Sequence, residues 1–209
     1  MPVQKKHTHM KPTRIIIISF LIIILFGTLL LTLPISSKSR EFTPPLDALF
    51  TATSATCVTG LIVHDTGTYW SIFGQCVIIL MIQLGGLGLV TFATFFNFAL
   101  GKKLGLKSLQ LASESVGYDD FSRIKQLVKM VFKISMSCEL IGMLLLMTVF
   151  VPKHGTYGIY ISLFLSISAF CNAGFDILGF EDKYISLTNY ADNSIVMGTI
   201  MLLIICGGL

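Results

Sequence analysis

Four long apolar segments set the pattern of hydrophobic and polar positions along this chain of 209 residues. They cover residues 14–33, 69–100, 127–151 and 190 to the end of the sequence. Because an apolar helix of about 20 residues crosses the hydrocarbon core of a bilayer, each segment predicts a membrane-spanning helix. Pro34 and Pro152 are predicted to end the first and third helices. The second segment is so long that its helix must tilt, bend at its glycines or extend into the cytoplasm.

The composition also indicates a membrane protein. Hydrophobic residues make up 54% of the chain and charged residues only 12%, and the mean hydropathy is +0.81. A soluble domain carries about 25% charged residues. The five cysteines show no CxxC spacing, so the sequence predicts neither a disulfide framework nor a zinc site. We therefore expect an all-α polytopic membrane protein.

Basic residues predict the orientation of these helices. Eleven of the 15 Lys and Arg residues lie at the N-terminal side of the first helix or around the connection between the second and third. By the positive-inside rule, residues 1–13 form a cytoplasmic basic tail and residues 101–126 a cytoplasmic linker. The net charge of +4 is thus explained without nucleic acid. The chain is predicted to be a multi-pass plasma-membrane protein with a cytoplasmic N-terminus.

Two polar stretches on the cytoplasmic side are expected to contact membrane lipid. His7 and His9 belong to the basic tail, which faces anionic headgroups. Residues 104–129 mix apolar and basic side chains, as a helix on the inner membrane surface would. Docking of a cytosolic partner is an equal alternative for this second stretch.

Most acidic residues are predicted to lie on the outer side. An acidic vestibule would raise the local cation concentration. The alternative is that outer loops only need solvated charge. The seven residues are Glu41, Asp47, Asp65, Asp176, Glu181, Asp182 and Asp192.

A short element occurs twice, at residues 48–61 and 162–175. With a shift of 114 residues, six of the 14 positions are identical, including the glycines Gly60 and Gly174. Each copy lies between two predicted spans and is too short and too polar to span a bilayer, which is typical of a re-entrant pore loop. A Gly-Gly-Leu sequence at 85–87 recurs at 207–209 and is predicted to allow close helix packing. The chain thus divides into two helix–pore loop–helix repeats, at residues 14–100 and 127–209, the second of which stops within its last helix.

The first repeated element predicts a half-membrane helix followed by an ion-lining loop. Thr43 suits the N-cap and Asp47 the first turn of a helix that runs to about Ala55, roughly 16 Å. Its C-terminal carbonyls would favour a cation at mid-membrane. The chain is then expected to return in an extended form, with carbonyls and the hydroxyls of Thr56 and Thr59 turned inward. In the second copy, Thr156 is a possible cap.

These stretches resemble a known family. Residues 47–61, 83–89 and 169–175 are similar to the Trk/Ktr/HKT superfamily of potassium transporters, and most of all to the membrane subunit of bacterial Ktr systems. The resemblance covers about residues 14–209. It implies that two short segments, here called the first loop and the second loop, belong to an ion-selectivity filter. The first loop is Thr56, Cys57, Val58, Thr59 and Gly60, and the second is Phe170, Cys171, Asn172, Ala173 and Gly174.

The resemblance also implies an activity and partners. We expect potassium transport, with sodium as a further possible ion, and neither an enzyme nor an organic cofactor. Family members are typically homodimers that work with a cytoplasmic nucleotide-binding regulatory subunit. They contain four helix–loop–helix units, so this chain is expected to be the N-terminal half of a longer protein. Alternatives are a two-loop cation channel that acts as a dimer, a membrane-embedded enzyme, and a fragment that only binds a partner.

Two polar positions outside the loops admit more than one interpretation. Glu139 is the one acid deep in a predicted span, so it could steer cations. It could instead be buried, in a form that could be protonated, and hydrogen-bonded to loop backbone, Ser135 or Ser137. His64 and Asp65 could form a metal or catalytic pair, but without a third partner they are interpreted as a solvated turn.

Overall fold

The computed structural model describes residues 12–88 and 121–208, which fold into seven α-helices and three short 3-10 turns. The first four helices are α1 (Pro12–Thr32), α2 (Pro45–Thr56), α3 (Thr66–Tyr69) and α4 (Ile72–Gly86). The last three are α5 (Phe121–His154), α6 (Tyr157–Phe170) and α7 (Ser194–Gly208). The 3-10 turns are Pro34–Ser36, Leu178–Phe180 and Thr188–Tyr190. Within the described ranges the only β pairing is an isolated bridge between Ser37 and Trp70.

One helix in the described part of the chain is long and apolar enough to cross a membrane, at Val128–His154. Four shorter apolar helices accompany it, at Ile16–Thr32, Ile72–Gly86, Tyr157–Phe170 and Ser194–Gly208. The predicted second span reached residue 100, whereas α4 ends at Gly86, and residues 89–100 lie outside the described ranges. The basic tail up to residue 11 and most of the predicted cytoplasmic linker also lie outside them.

Two predicted helix ends are wrong because local contacts override the pattern. Helix α5 continues through Pro152 to His154. It stops where Gly155 adopts φ of 60° and its amide donates to the Val151 carbonyl at 2.8 Å, an arrangement that glycine permits. Helix α7 begins at Ser194 rather than near residue 190, because the Asn193 side chain accepts the amides of Ile195 and Val196, each at 3.1 Å.

The helices pack as two groups around one core. Helix α1 packs on α2 and α4, and α5 packs on α6 and α7. Helix α4 also contacts α6, which joins the groups. Their shared core includes Ile78 and Ile82 from the first group and Phe164 and Phe175 from the second, all nearly or fully buried.

Asp65 ties the polar connections of the two groups together. Its Oδ1 accepts hydrogen bonds from the Thr68 amide at 2.8 Å and the Thr68 hydroxyl at 2.9 Å, which caps α3. Its Oδ2 accepts the amide of Tyr184, 119 residues away, at 3.0 Å. Asp65 is only 5% exposed, so the interpretation of His64 and Asp65 as a solvated turn is wrong. His64 bonds Asp47 at 2.9 Å and stacks on Tyr69 with ring centroids 3.9 Å apart.

The substitution Asp65→Asn tests this tie. An amide can keep the cap on α3, but its NH2 group cannot accept the Tyr184 amide, so this hydrogen bond is lost at a cost of about 0.5–1.5 kcal/mol. We expect a lower melting temperature for the complete purified protein in detergent. The matched control is Asp182→Asn on the exposed side of the same connection. Equal melting of the two variants would contradict the tie.

Candidate ion-binding site

The helices that lead into the two loops begin without the predicted side-chain caps. Pro44 occupies the N-cap of α2, and Thr43 makes no capping hydrogen bond. Its hydroxyl instead accepts a hydrogen bond from the Tyr69 hydroxyl at 3.2 Å. Thr156 precedes α6 but also makes no side-chain cap. The predicted capping role of Thr43 is therefore wrong, since α2 starts on its prolines and on Asp47 in the first turn. Thr156 does occupy the N-cap position of α6, as predicted, but without a side-chain hydrogen bond.

Both leading helices end in the same hydrogen-bonded turn. In the first loop, the Thr59 amide donates to the Ser54 carbonyl at 3.0 Å and the Val58 amide to the Ala55 carbonyl at 3.4 Å. In the second loop, the Ala173 amide donates to Ser168 at 2.8 Å and the Asn172 amide to Ala169 at 3.0 Å. This pair of bonds defines a Schellman motif. The repeat seen in the sequence is thus also a repeat of backbone geometry.

This turn corrects the predicted extended return. Of the C-terminal carbonyls of α2 that were expected to face mid-membrane, those of Thr53, Ser54 and Ala55 accept hydrogen bonds from the loop's own amides, whereas that of Thr56 accepts none from the described residues. The carbonyls that follow, of residues 57–60 and 171–174, accept no backbone hydrogen bond from the described residues. They are the backbone oxygens left available to a ligand.

Left-handed backbone occurs at matching positions in the two loops. Val58 and Asn172 have φ of 50° and 57°, and Gly60 and Gly174 have φ of 73° and 70°. Glycine adopts this conformation without cost and asparagine tolerates it, whereas a β-branched residue such as Val58 is strained there. The second loop therefore carries the better residue for the same turn.

The two loops meet at their glycines. A Cβ atom added to Gly60 would lie 2.8 Å from the carbonyl oxygen of Ala173 and 3.4 Å from the Cα of Gly174. A Cβ on Gly174 would in turn lie 3.4 Å from the Cα of Gly60. Two segments 114 residues apart thus place bare backbone against bare backbone, and no side chain fits between them.

The repeated glycines of α4 and α7 support the loops in the same way. A Cβ on Gly85 would collide with the carbonyl oxygen of Thr56, the last residue of α2. A Cβ on Gly207 would collide with the carbonyl oxygen of Phe170, the last residue of α6. The prediction that these small residues allow close packing is confirmed.

The two threonine hydroxyls of the first loop are engaged within the protein. The Thr56 hydroxyl donates to the Ala52 carbonyl at 2.8 Å and is buried. The Thr59 hydroxyl lies 2.8 Å from that of Ser54. The free main-chain carbonyls are therefore better placed than these hydroxyls to bind a ligand.

Glu139 is buried, as one interpretation predicted, but its partner was not foreseen. Both carboxylate oxygens accept hydrogen bonds from Gln83 Nε2, at 2.9 and 3.2 Å. Ser135 and Ser137 donate to carbonyls of their own helix instead. Gln83 belongs to the glycine-rich motif at 83–89, and this motif is the sequence signal that could have marked it as a site residue. Its contact with Glu139, 56 positions away, cannot be deduced from sequence spacing.

Several of the predicted outer acids make hydrogen bonds within the protein instead of facing solvent. Burial raises the pKa of Asp176 and the nearby Asp65 adds to the increase, although the Leu178 amide opposes it. Burial would also raise the pKa of Glu181, but hydrogen bonds from Tyr190, Lys153 and Asn189 outweigh it and lower that pKa. The acids that contact neighbouring groups are Asp47, Asp65, Asp176 and Glu181, whereas Glu41, Asp182 and Asp192 are exposed.

Comparison with known proteins agrees with the resemblance. The TrkH family model, described as a cation transport protein, matches residues 3–209. The chain is 44% identical over 208 residues to the Ktr system potassium uptake protein B of Bacillus subtilis, which covers 98% of this chain and 44% of that protein. It is 38% identical over 212 residues to the potassium/sodium uptake protein NtpJ of Enterococcus hirae, covering 100% of this chain and 46% of that protein. It is also 40% identical over 197 residues to the Ktr system potassium uptake protein B of Vibrio alginolyticus, covering 94% of this chain and 42% of that protein. The chain thus spans less than half the length of each of these relatives.

The left-handed position of the second loop is tested by two substitutions at one site. Asn172→Gly keeps the turn without strain, whereas Asn172→Val places a β-branched residue at φ of 57°. We expect the valine variant to be less stable than the glycine variant by about 1–2 kcal/mol. Melting temperatures of the complete protein in detergent measure this difference. Identical melting would mean that the turn does not constrain this residue.

Proposed function

This chain belongs to the TrkH family of cation transport proteins, and from that premise we propose that it forms part of a Ktr-type potassium uptake protein. Its first and second loops would line the ion path with main-chain carbonyls. The observation that carries the proposal is the meeting of these loops at Gly60 and Gly174, with matching turns and free carbonyls. Rings of such carbonyls can replace the hydration shell of a potassium ion.

The dimensions of the leading helices support re-entrant loops. Helix α2 has 12 residues and α6 has 14. At a rise of 1.5 Å per residue they measure about 18 and 21 Å, less than the hydrocarbon thickness of about 30 Å. Each would enter the membrane, turn at its Schellman motif and return. The distribution of basic residues supports entry from the outer face, with the N-terminus in the cytoplasm of a plasma-membrane protein.

A complete ion path needs more than these two loops. A filter of four loops requires either the remainder of a longer chain or further copies of this one. We propose the former, because this chain spans less than half of each relative compared. Two of these relatives are named as proteins of a Ktr system, which supports a regulatory subunit as a partner. That this partner is cytoplasmic and binds nucleotide is proposed from the family resemblance. A homodimer of the complete chain is proposed from the family resemblance.

Sodium is a second candidate ion. The name of the Enterococcus hirae relative includes both potassium and sodium. Each loop here carries one glycine, unlike the two in the Thr-Val-Gly-Tyr-Gly loops of potassium channels. Fewer ordered carbonyl rings would discriminate less between the two ions.

Potassium uptake by a deficient host tests the function and the glycine contact together. The complete protein should restore growth at low potassium. Gly60→Ala forces a side chain against the Ala173 carbonyl at an unfavourable φ, a strain of about 1–2 kcal/mol, so we expect uptake to fall about tenfold or more. Gly155→Ala is the matched control, because Gly155 also has positive φ but has open space around it.

Confirmed membrane expression is needed for each variant. Absence of rescue by the expressed wild-type protein would count against potassium transport. Equal uptake by the two alanine variants would count against the glycine contact as part of the ion path.

A further inference from the structure

Gln83 connects a buried acid of one helix to a loop that the proposed function places in the ion path. It lies on α4, is 8% exposed, and donates through Nε2 to both carboxylate oxygens of Glu139 on α5. Its Oε1 accepts a hydrogen bond from the thiol of Cys171 in the second loop, with the two atoms 3.7 Å apart. We propose that Gln83 is a positioning residue that holds Cys171 and its neighbouring carbonyls in place, with Glu139 fixing the orientation of its amide. This inference rests on the proposed function.

The orientation follows from the chemistry of the three groups. Both carboxyl oxygens of Glu139 accept hydrogen bonds from Nε2, so the NH2 end of the Gln83 amide faces the acid. The carbonyl end must then face away from Glu139, toward the thiol, which is the donor that Cys171 offers. Without the carboxylate, the amide would be free to rotate and present its NH2 group to the sulfur.

Close packing fixes the same residue from a second direction. Gly86 lies about one helical turn after Gln83 on α4, and a Cβ there would be 2.6 Å from both the Cβ and the Sγ of Cys171. Cys171 is therefore held by its hydrogen bond to Gln83 and by its packing against the backbone of Gly86. Its own side chain is 7% exposed.

The acid is itself anchored to the helix that leads into the second loop. The Ser166 hydroxyl on α6 donates to the main-chain carbonyl of Glu139 at 2.6 Å. Because α6 ends at Phe170, immediately before Cys171, this bond fixes the position of Glu139 relative to the second loop. A change at Gln83 would thus move the second loop relative to α4, whereas the contact between α5 and α6 would remain.

This contact differs between the repeats. The Gly-Gly-Leu sequences align Gly86 with Gly208 and Gln83 with Ile205. The glycine that packs against the loop is therefore repeated in the sequence. The glutamine that hydrogen-bonds the loop, here called the polar half of the contact, occurs only at the junction between the first and second repeats. Because carbonyl positions decide which ion is bound, we expect the polar half to affect ion discrimination.

The test uses the complete protein in liposomes and compares three variants. Gln83→Leu removes the hydrogen bonds, and Gln83→Glu places a second carboxylate beside Glu139. The double variant Gln83→Glu with Glu139→Gln exchanges the two groups. In it, the amide introduced at position 139 can donate to the new carboxylate, which still accepts from Cys171.

The matched control is Gln75→Leu, which removes a second buried glutamine from the same helix. Gln75 donates to the carbonyls of Thr66 and Trp70, each at 3.1 Å, and neither acceptor belongs to a loop of the ion path. A general loss of stability should affect this control as much as Gln83→Leu.

Two readouts separate positioning from folding. We expect the ratio of potassium to sodium flux to fall about fivefold in Gln83→Leu, the factor that corresponds to one lost hydrogen bond. Labelling of Cys171 by a thiol reagent, followed by mass spectrometry of its peptide, should accelerate by a similar factor. In the double variant, both values should return toward those of the wild type, and in Gln75→Leu neither should change.

Each outcome decides one question. A flux ratio in Gln83→Leu equal to that of the Gln75→Leu control, unchanged Cys171 labelling, or a double variant no better than Gln83→Glu would overturn the positioning role. Absence of potassium flux through the wild-type protein would overturn the proposed function instead. Labelling of Cys171 would still decide whether Gln83 holds the loop.

Discussion

Contact between backbones, without side chains between them, is the constraint on which the arrangement of this protein depends. Glycine supplies it where the two loops meet and where α4 and α7 receive the ends of the short helices. The backbones of two distant loop segments can meet only because nothing larger than a hydrogen atom separates Gly60 from its neighbours. The apolar core holds the helices together, but the glycines determine how closely the polar backbone converges.

The two repeats share this backbone arrangement while differing in their side chains. Their turns use the same hydrogen bonds and the same left-handed positions, although Val58 occupies one and Asn172 the other. The two repeats thus have the same backbone geometry at the turns that end their short helices. The side chains around it differ, most clearly where Gln83 of the first repeat aligns with Ile205 of the second.

Much of this fold could be predicted from local sequence, and the failures have two physical causes. Apolar segments, repeated motifs and glycines are visible along the chain, and they identified the helices and the two equivalent loops. The two helix ends and the extended return of the loops failed because local turns and caps form there. The other errors arose where a distant partner decides the outcome. Thr43 bonds Tyr69 rather than capping α2, Asp65 accepts an amide 119 residues away, and Glu139 pairs with Gln83. Sequence spacing reports what a residue can do within one or two turns, whereas these contacts depend on how separate elements pack.

The unequal residues at the left-handed positions have a consequence for symmetry. Val58 presents a half-buried branched hydrocarbon to its turn, and Asn172 presents an exposed amide. In the proposed function, an ion held between these loops would therefore meet matching backbone turns on its two sides but side chains of unequal polarity around them.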